Sequence, residues 1–438
     1  MRVREIVLGV FLVKLAIFGA LYGKFGERIM IWGDSDLYIG LADNLRAGNG
    51  FATTRTDGAL AVNTDRLPIF PALVALSKSW GGNLFLLGVL QAFVGALLAR
   101  SAYVLPRRVL EKRWATFLAL AVAFEPITLA LGVFVLPDIY FALALLLHIE
   151  SLLTYRDAPT TKKAVLVGLS YALALYLKPI MLYAGIISLV YMMWSRRSLK
   201  HVCVVLGITV ILIAPWAWRT YEVSGKLGIT TNDTLNFCGW GLTGVLSSEF
   251  HLDSSNWAES WARPEYQEGR AHCVTPRSSI TYFATEYPVA YAKTIGLSTL
   301  AFFTNEGYGT LLQRSSMIKT HHNYLTPAVF TMGEWKSRVA MAWSELSPLS
   351  RVAVVFGKAF WVAVAVLALR GAWISRKLGP RTRTMTMLHV CIIIYFVGVI
   401  TLSTAYGVSA RLRVPVITPL FILALLAIPN ARRKDLLV

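Results

Sequence analysis

Residues 6–38 read IVLGVFLVKLAIFGALYGKFGERIMIWGDSDLY. The apolar run from 6 to 23 is long enough, as a helix, to cross a hydrocarbon layer of about 30 Å. It is followed by Gly33-Asp34-Ser35-Asp36-Leu37-Tyr38 and, further on, by Arg66-Leu67-Pro68. Two carboxylates where the chain leaves the bilayer, with a cation downstream, point to chemistry at a membrane surface.

The rest of the chain supports a membrane setting. Of 438 residues, 56% are hydrophobic and 15% charged, against roughly a quarter charged in an ordinary soluble protein. The mean hydropathy is +0.57. Further apolar runs predict helices near 84–105, 114–134, 137–154, 164–178, 180–195, 202–217, 352–369, 385–405 and 414–429. The expected fold class is an all-α polytopic membrane protein of about ten spans. Its parts are an N-terminal transmembrane module (1–217) with a first outer loop at 24–82, a large outer loop (218–350), and C-terminal transmembrane helices (351–438). Segment 288–312 is apolar enough to enter the bilayer. A crossing there would put Arg376, Lys377, Arg381 and Arg383 outside, so it reads as an interfacial or re-entrant helix.

The net charge of +19 is not a nucleic-acid signature. The basic residues cluster between apolar runs: Arg107-Arg108 with Lys112-Arg113, Arg156 with Lys162-Lys163, Arg196-Arg197 with Lys200, Arg370 to Arg383, and Arg432-Arg433-Lys434. By the positive-inside rule these mark the cytoplasmic side. Arg2 and Arg4 place the N-terminus there too, and alternation brings the C-terminus back to the same side. No small-residue cleavage site follows the first run, so it reads as an anchor. Short loops and the lack of a large lumenal domain suit a bacterial inner membrane with the site facing the periplasm.

Cys203 and Cys391 fall in expected spans and read as buried apolar residues. Cys238 and Cys273 share the large outer loop, where an oxidising exterior would permit a disulfide. Neither the cysteines nor the seven histidines show zinc-like spacing, and His321-His322 are adjacent, so no structural metal site is expected. A divalent cofactor is not excluded; no P-loop or Rossmann fingerprint calls for a nucleotide.

Ionisable residues in or beside spans are costly and need a role. Asp138 begins one span, and Glu125, before Pro126, lies in the outer half of another. Lys178 is a natural partner for either. Arg66, Lys178, Arg219, Arg411 and Arg413 lie near outer membrane edges.

These residues carry a resemblance. Asp34 with Tyr38, Leu41-Ala42, Gly48-Asn49-Gly50-Phe51 and Arg66-Leu67-Pro68-Ile69-Phe70-Pro71 resemble the opening of the polyprenyl-phosphate-dependent membrane glycosyltransferases of the GT-C class. That class includes dolichyl-phosphate-mannose protein mannosyltransferases and lipid A aminoarabinose transferases. Lys178-Pro179, Pro215-Trp216-Ala217-Trp218-Arg219 and Arg411-Leu412-Arg413-Val414-Pro415 extend the resemblance in order along the chain. It implies a GT-C-like bundle with interfacial helices in the first outer loop and a cavity at the outer face. It also implies a polyprenyl-phosphate-linked sugar donor, and a lipid, glycan or protein acceptor. Asp34 would be the catalytic base and Arg66 a donor-phosphate ligand. Ser35 stands where the family usually has a second acid, which leaves the base open between Asp34 and Asp36. Lys178, Arg219, Arg411 and Arg413 would supply further phosphate contacts, and Tyr38, Asp138 and Glu125 would line the cavity. Trp240, Trp257 and Trp261 suit either sugar stacking or interfacial anchoring. A lipid-linked-sugar transporter or a surface-glycan polymerase or ligase would use similar cations; the early aspartate motif favours the transferase.

Overall fold

A computed structural model describes residues 2–196, 198–253, 257–273, 275–307, 325–405 and 409–433. His321-His322 and the end of the 288–312 segment lie outside them. Helix dominates, and the one sheet among the described residues is a two-stranded hairpin.

In chain order, α1 (Val3–Phe25) leads through a 3-10 turn to α2 (Ser35–Arg46). The hairpin of β1 (Ala52–Thr54) and β2 (Leu60–Val62) pairs Ala52 with Val62 and Thr54 with Leu60. Then come α3 (Ile69–Ser79), α4 (Phe85–Val104), α5 (Lys112–Phe124), α6 (Pro126–Leu131), α7 (Asp138–Asp157), α8 (Thr161–Leu177), α9 (Ala184–Arg196) and α10 (Leu199–Ser224). Later elements that matter below are α11 (Pro288–Thr304), α12 (Pro348–Ser375), α13 (Pro380–Thr404) and α14 (Ile417–Leu426).

Among the described residues, six helices are long and apolar enough to cross a membrane: α1, α4, α7, α10, α12 and α13. The protein is all-α and multi-pass. Among the described residues, four of the ten expected runs do not form a single long apolar helix, for identifiable reasons. The run 114–134 breaks at Glu125-Pro126, because proline has no N–H to continue the hydrogen-bond ladder. The run 164–178 gives 17 helical residues and 180–195 gives 13, separated by a 3-10 turn at Pro179. The run 414–429 opens as a 3-10 stretch containing Pro415, and only 10 residues of α-helix follow.

The described chain divides into two compact units: residues 1–230, 366–393 and 414–438, and residues 231–365 and 394–413. In the first, α1 packs on α4 through two glycines. A Cβ on Gly88 would lie 2.0 Å from the Phe18 ring, and one on Gly95 would lie 2.9 Å from the Lys14 stem. Only glycine lets the helices approach this closely. α7 is enclosed, whereas α10 turns Val210, Ile211 and Leu212 outward, as a lipid-facing helix does. The amphipathic α2 and α3 are tied by Lys78 Nζ donating to Asp43 at 2.6 Å. Asn44, buried, donates to Ala52 O at 2.8 Å and fixes the hairpin to α2.

The second unit is built on Phe237, Leu242, Leu246, Phe283 and Tyr291. A π-helix, Leu235–Leu242, carries Cys238 and Trp240 into it. Within this unit α11 buries Tyr291, Ser298 and Phe302 along one side.

Candidate active site

The first unit brings the Asp34 and Arg66 segments together. Asp34 is the N-cap of α2 but makes no capping hydrogen bond, although aspartate usually accepts one there. Ser35 holds the turn instead: its Oγ accepts from Trp32 N at 3.0 Å and donates to Trp32 O at 2.8 Å. Asp34 Oδ1 faces Arg66 Nη2 at 3.4 Å. The carboxylate is 38% exposed and the guanidinium 11%, so the acid stays open to solvent while the cation is set into the wall. Asp36 is exposed and makes no hydrogen bond or ion pair among the described residues.

Arg66 is placed by its own loop. Asn63, buried, accepts from Asp65 N at 3.1 Å and Arg66 N at 2.9 Å through its side-chain oxygen, an Asx turn that orients the following residue. The guanidinium carbon lies 5.8 Å from the Tyr38 ring centroid. Tyr38 packs edge-on against Phe70 at 5.1 Å, and Phe70 meets Tyr140 of α7 at 5.5 Å. Arg219, expected as a phosphate ligand, braces this loop: it donates to Asn63 O at 3.1 Å and Phe51 O at 3.2 Å and stacks on Trp216 at 4.6 Å.

Asp138 and Lys178 also meet. Asp138 is fully buried at the start of α7, and Lys178 Nζ lies 2.6 Å from its Oδ1. Glu125, 5% exposed, caps α6 by accepting from Thr128 N at 2.8 Å and Thr128 Oγ1 at 3.0 Å. The segment after α6 backs the Asp34 turn. Val135 N donates to Met30 O at 2.9 Å, Trp32 stacks on Phe134 at 5.3 Å, and the buried Gln91 donates to Phe134 O at 2.5 Å.

In the second unit, Arg413 is wholly buried. Its two Nη atoms donate to Phe302 O and Asn305 O, both at 2.6 Å, and its guanidinium lies 3.6 Å from the Trp361 ring centroid. Arg411 is half-buried. Cys238 Sγ donates to Cys273 O at 3.3 Å. The Cys238 contact and burial together raise the Cys273 thiol above the ordinary range. Among the described residues no group of three or more His, Cys, Asp or Glu could hold a metal.

Sequence reading missed three residues. Lys14, mid-way along α1, is 5% exposed and its Nζ makes no hydrogen bond among the described residues; Glu125 is the opposite charge acting on it. A lone lysine inside the first apolar run was the available signal. Asn63 carried a local signal, an Asx turn onto Asp65 N and Arg66 N, whereas Gln91 carried none, since its partner Phe134 O is distant in sequence.

Residues 65–218 match the model of the dolichyl-phosphate-mannose-protein mannosyltransferase family. The stretch includes Arg66, Asp138 and Lys178, and it bears out the resemblance read from the motifs; Asp34 lies before it and Arg219 just after it. No curated protein sequence matches the chain. Among solved structures, the oligosaccharyltransferase AglB from Archaeoglobus fulgidus, in complex with an inhibitory peptide and a dolichol-phosphate, is similar at 13% identity with a TM-score of 0.47 over 96% of this chain. The apo form of the Archaeoglobus fulgidus oligosaccharyltransferase is similar at 14% identity with the same TM-score and coverage. The chain spans about half the length of both, 50% in each case.

Proposed function

We propose that this protein is a glycosyltransferase that moves a sugar from a polyprenyl-phosphate donor to an acceptor hydroxyl at the outer membrane face. The observation that carries this reading is the meeting of Asp34, at the start of α2, and Arg66, in the loop before α3, at 3.4 Å after the first membrane span. Support comes from the match over residues 65–218 to a family named for transfer of a sugar from a lipid phosphate.

In this mechanism Asp34 accepts the proton of the acceptor hydroxyl as its oxygen attacks the anomeric carbon. The bond from that carbon to the phosphate oxygen breaks, the electron pair leaves with the polyprenyl phosphate, and the configuration inverts. Arg66 stabilises the departing phosphate. A guanidinium has five N–H donors, so it can face a carboxylate on one edge and a phosphate on another. Lys178, oriented by Asp138, adds a second positive charge, and Arg219 keeps the Arg66 loop in register.

The test is sugar transfer by purified protein in nanodiscs, using a panel of polyprenyl-phosphate sugars, with donor binding measured alongside. Asp34→Asn is expected to bind donor and transfer nothing measurable, while Arg66→Ala loses donor affinity. Movement of labelled lipid across liposomes without turnover of any donor would replace this reading with a transporter.

A further inference from the structure

Three basic clusters that stand far apart in the sequence send one arginine each to the same carboxylate. Arg108 follows α4, Arg156 lies in the last turn of α7, and Arg381 lies in the first turn of α13. Their guanidinium groups lie 2.5, 3.5 and 2.9 Å from the Asp157 carboxylate. Arg156 also donates to Arg381 O at 3.0 Å, and Arg108 donates to Thr154 Oγ1 at 3.3 Å. Tyr191 of α9, 5% exposed, lies within the field of the same charges.

One carboxylate against three guanidinium groups leaves two positive charges in excess over that acid. Arg156 and Arg108 are only 12% and 21% exposed, so water screens them poorly, and gathering like charges there is costly without an anion. Arg381, 62% exposed, opens the cluster outward. Asp157 closes one candidate span, and Arg108 closes another. The cluster therefore sits at a span end, the depth of phospholipid headgroups.

We propose that Arg108, Arg156 and Arg381 form a binding site for the phosphate of an anionic phospholipid headgroup, with Asp157 gathering the three arginines around it. The site involves none of the residues assigned to sugar transfer and stands or falls separately from that reading.

Protein purified in detergent would be titrated with phosphatidylglycerol, phosphatidylcholine and inorganic phosphate, bound lipid being counted by native mass spectrometry. The parent is expected to retain phosphatidylglycerol over phosphatidylcholine. Arg381→Gln should weaken that retention about fivefold, the effect of roughly one surface cation on anionic-lipid binding, and Arg381→Lys should largely restore it. Asp157→Asn decides the matter by sign. Removing the competing carboxylate raises the excess charge and should tighten lipid retention, provided size-exclusion shows a folded protein. Should Asp157→Asn scatter the arginines, a folded Arg108→Gln variant still tests the site through a matching loss. Equal retention of both lipids by the parent overturns the proposal, as does full competition by millimolar inorganic phosphate, which would mark a site for a soluble anion.

Discussion

Arg66 Nη2 stands 3.4 Å from Asp34 Oδ1, wider than the 2.7–2.9 Å usual for a charge-assisted hydrogen bond. The guanidinium is held by its loop and the carboxylate by its helix turn, so the two are near without being locked. In the reaction proposed above, a base taking a proton beside a cation receiving a phosphate would gain from that slack. A tight bidentate pair would leave each group occupied by the other.

The two aspartates of the opening motif should separate cleanly in kinetics. Asp34 faces Arg66, whereas Asp36 is exposed and unpaired among the described residues. Asp36→Asn is expected to keep transfer within about threefold of the parent, while Asp34→Asn falls by roughly 100- to 10,000-fold, the usual worth of general-base catalysis. Initial rates at saturating donor decide it, and the reverse order would move the base to Asp36.

Arg219→Lys is not a conservative change here. The guanidinium spans two carbonyls, Asn63 O and Phe51 O, and stacks on Trp216. An ammonium cannot reproduce that planar fork. Transfer should drop by roughly 10- to 100-fold through displacement of the Arg66 loop, with a thermal midpoint close to the parent's. Unchanged kcat/KM in a folded Arg219→Lys protein would show that the brace is dispensable.

The Lys178–Asp138 pair predicts an asymmetric double-mutant cycle. Asp138 is fully buried, so Lys178→Met takes the cation away from a buried carboxylate and should cost about 3–5 kcal/mol. Lys178→Met with Asp138→Leu removes both charges and should recover most of that loss. Unfolding monitored in detergent reads stability, and the double variant should remain impaired in donor binding if Lys178 also meets the phosphate.

Gly88→Ala tests the first helix contact. Its Cβ would fall 2.0 Å from Phe18 Cζ, and overpacking of this kind costs about 1–3 kcal/mol. Phe18→Leu in the same protein should relieve it. A Gly88→Ala variant as stable as the parent would mean that α1 and α4 sit further apart.

Cys273 should alkylate slowly. The Cys238 contact and burial both raise its thiol pKa, so little thiolate, the reactive form, exists near pH 8. Labelling with iodoacetamide should reach Cys273 only at higher pH. The sign for stability follows from linkage: the folded state keeps the thiol proton that the unfolded state releases. That contribution is complete below the ordinary thiol range and declines as pH rises through it. The cysteine spacing suggested a disulfide, and the thiol–carbonyl contact at 3.3 Å makes oxidative crosslinking of Cys238 to Cys273 a direct trial of it.

Helical class and membrane setting were legible because apolar runs of spanning length leave the chain few other folds. The Asp34 and Arg66 motifs stood out because the turn chemistry is local. Asn63-Thr64-Asp65-Arg66 forms its Asx turn from neighbouring residues, and Ser35 holds the Asp34 turn in the same way. The span count was less readable. Hydropathy averages over a window and cannot register the break that Pro126 imposes, or the 3-10 turns around Pro179 and Pro415. Roles for single cations were hidden too. Arg219 and Arg413 both read as phosphate ligands near outer membrane edges, and the structure directs the Nη groups of each at backbone carbonyls.

By itself the sequence determined that this chain is a multi-pass helical protein with an acidic motif and a downstream arginine following its first span, since those properties depend on composition and near-neighbour spacing. Tertiary structure alone decided that Asp34 faces Arg66, that Asp138 takes Lys178, and that three distant arginines converge on Asp157. Such pairings require helices remote in sequence to pack at one register. That register is set by close contacts, such as Phe18 over Gly88, which no local pattern encodes.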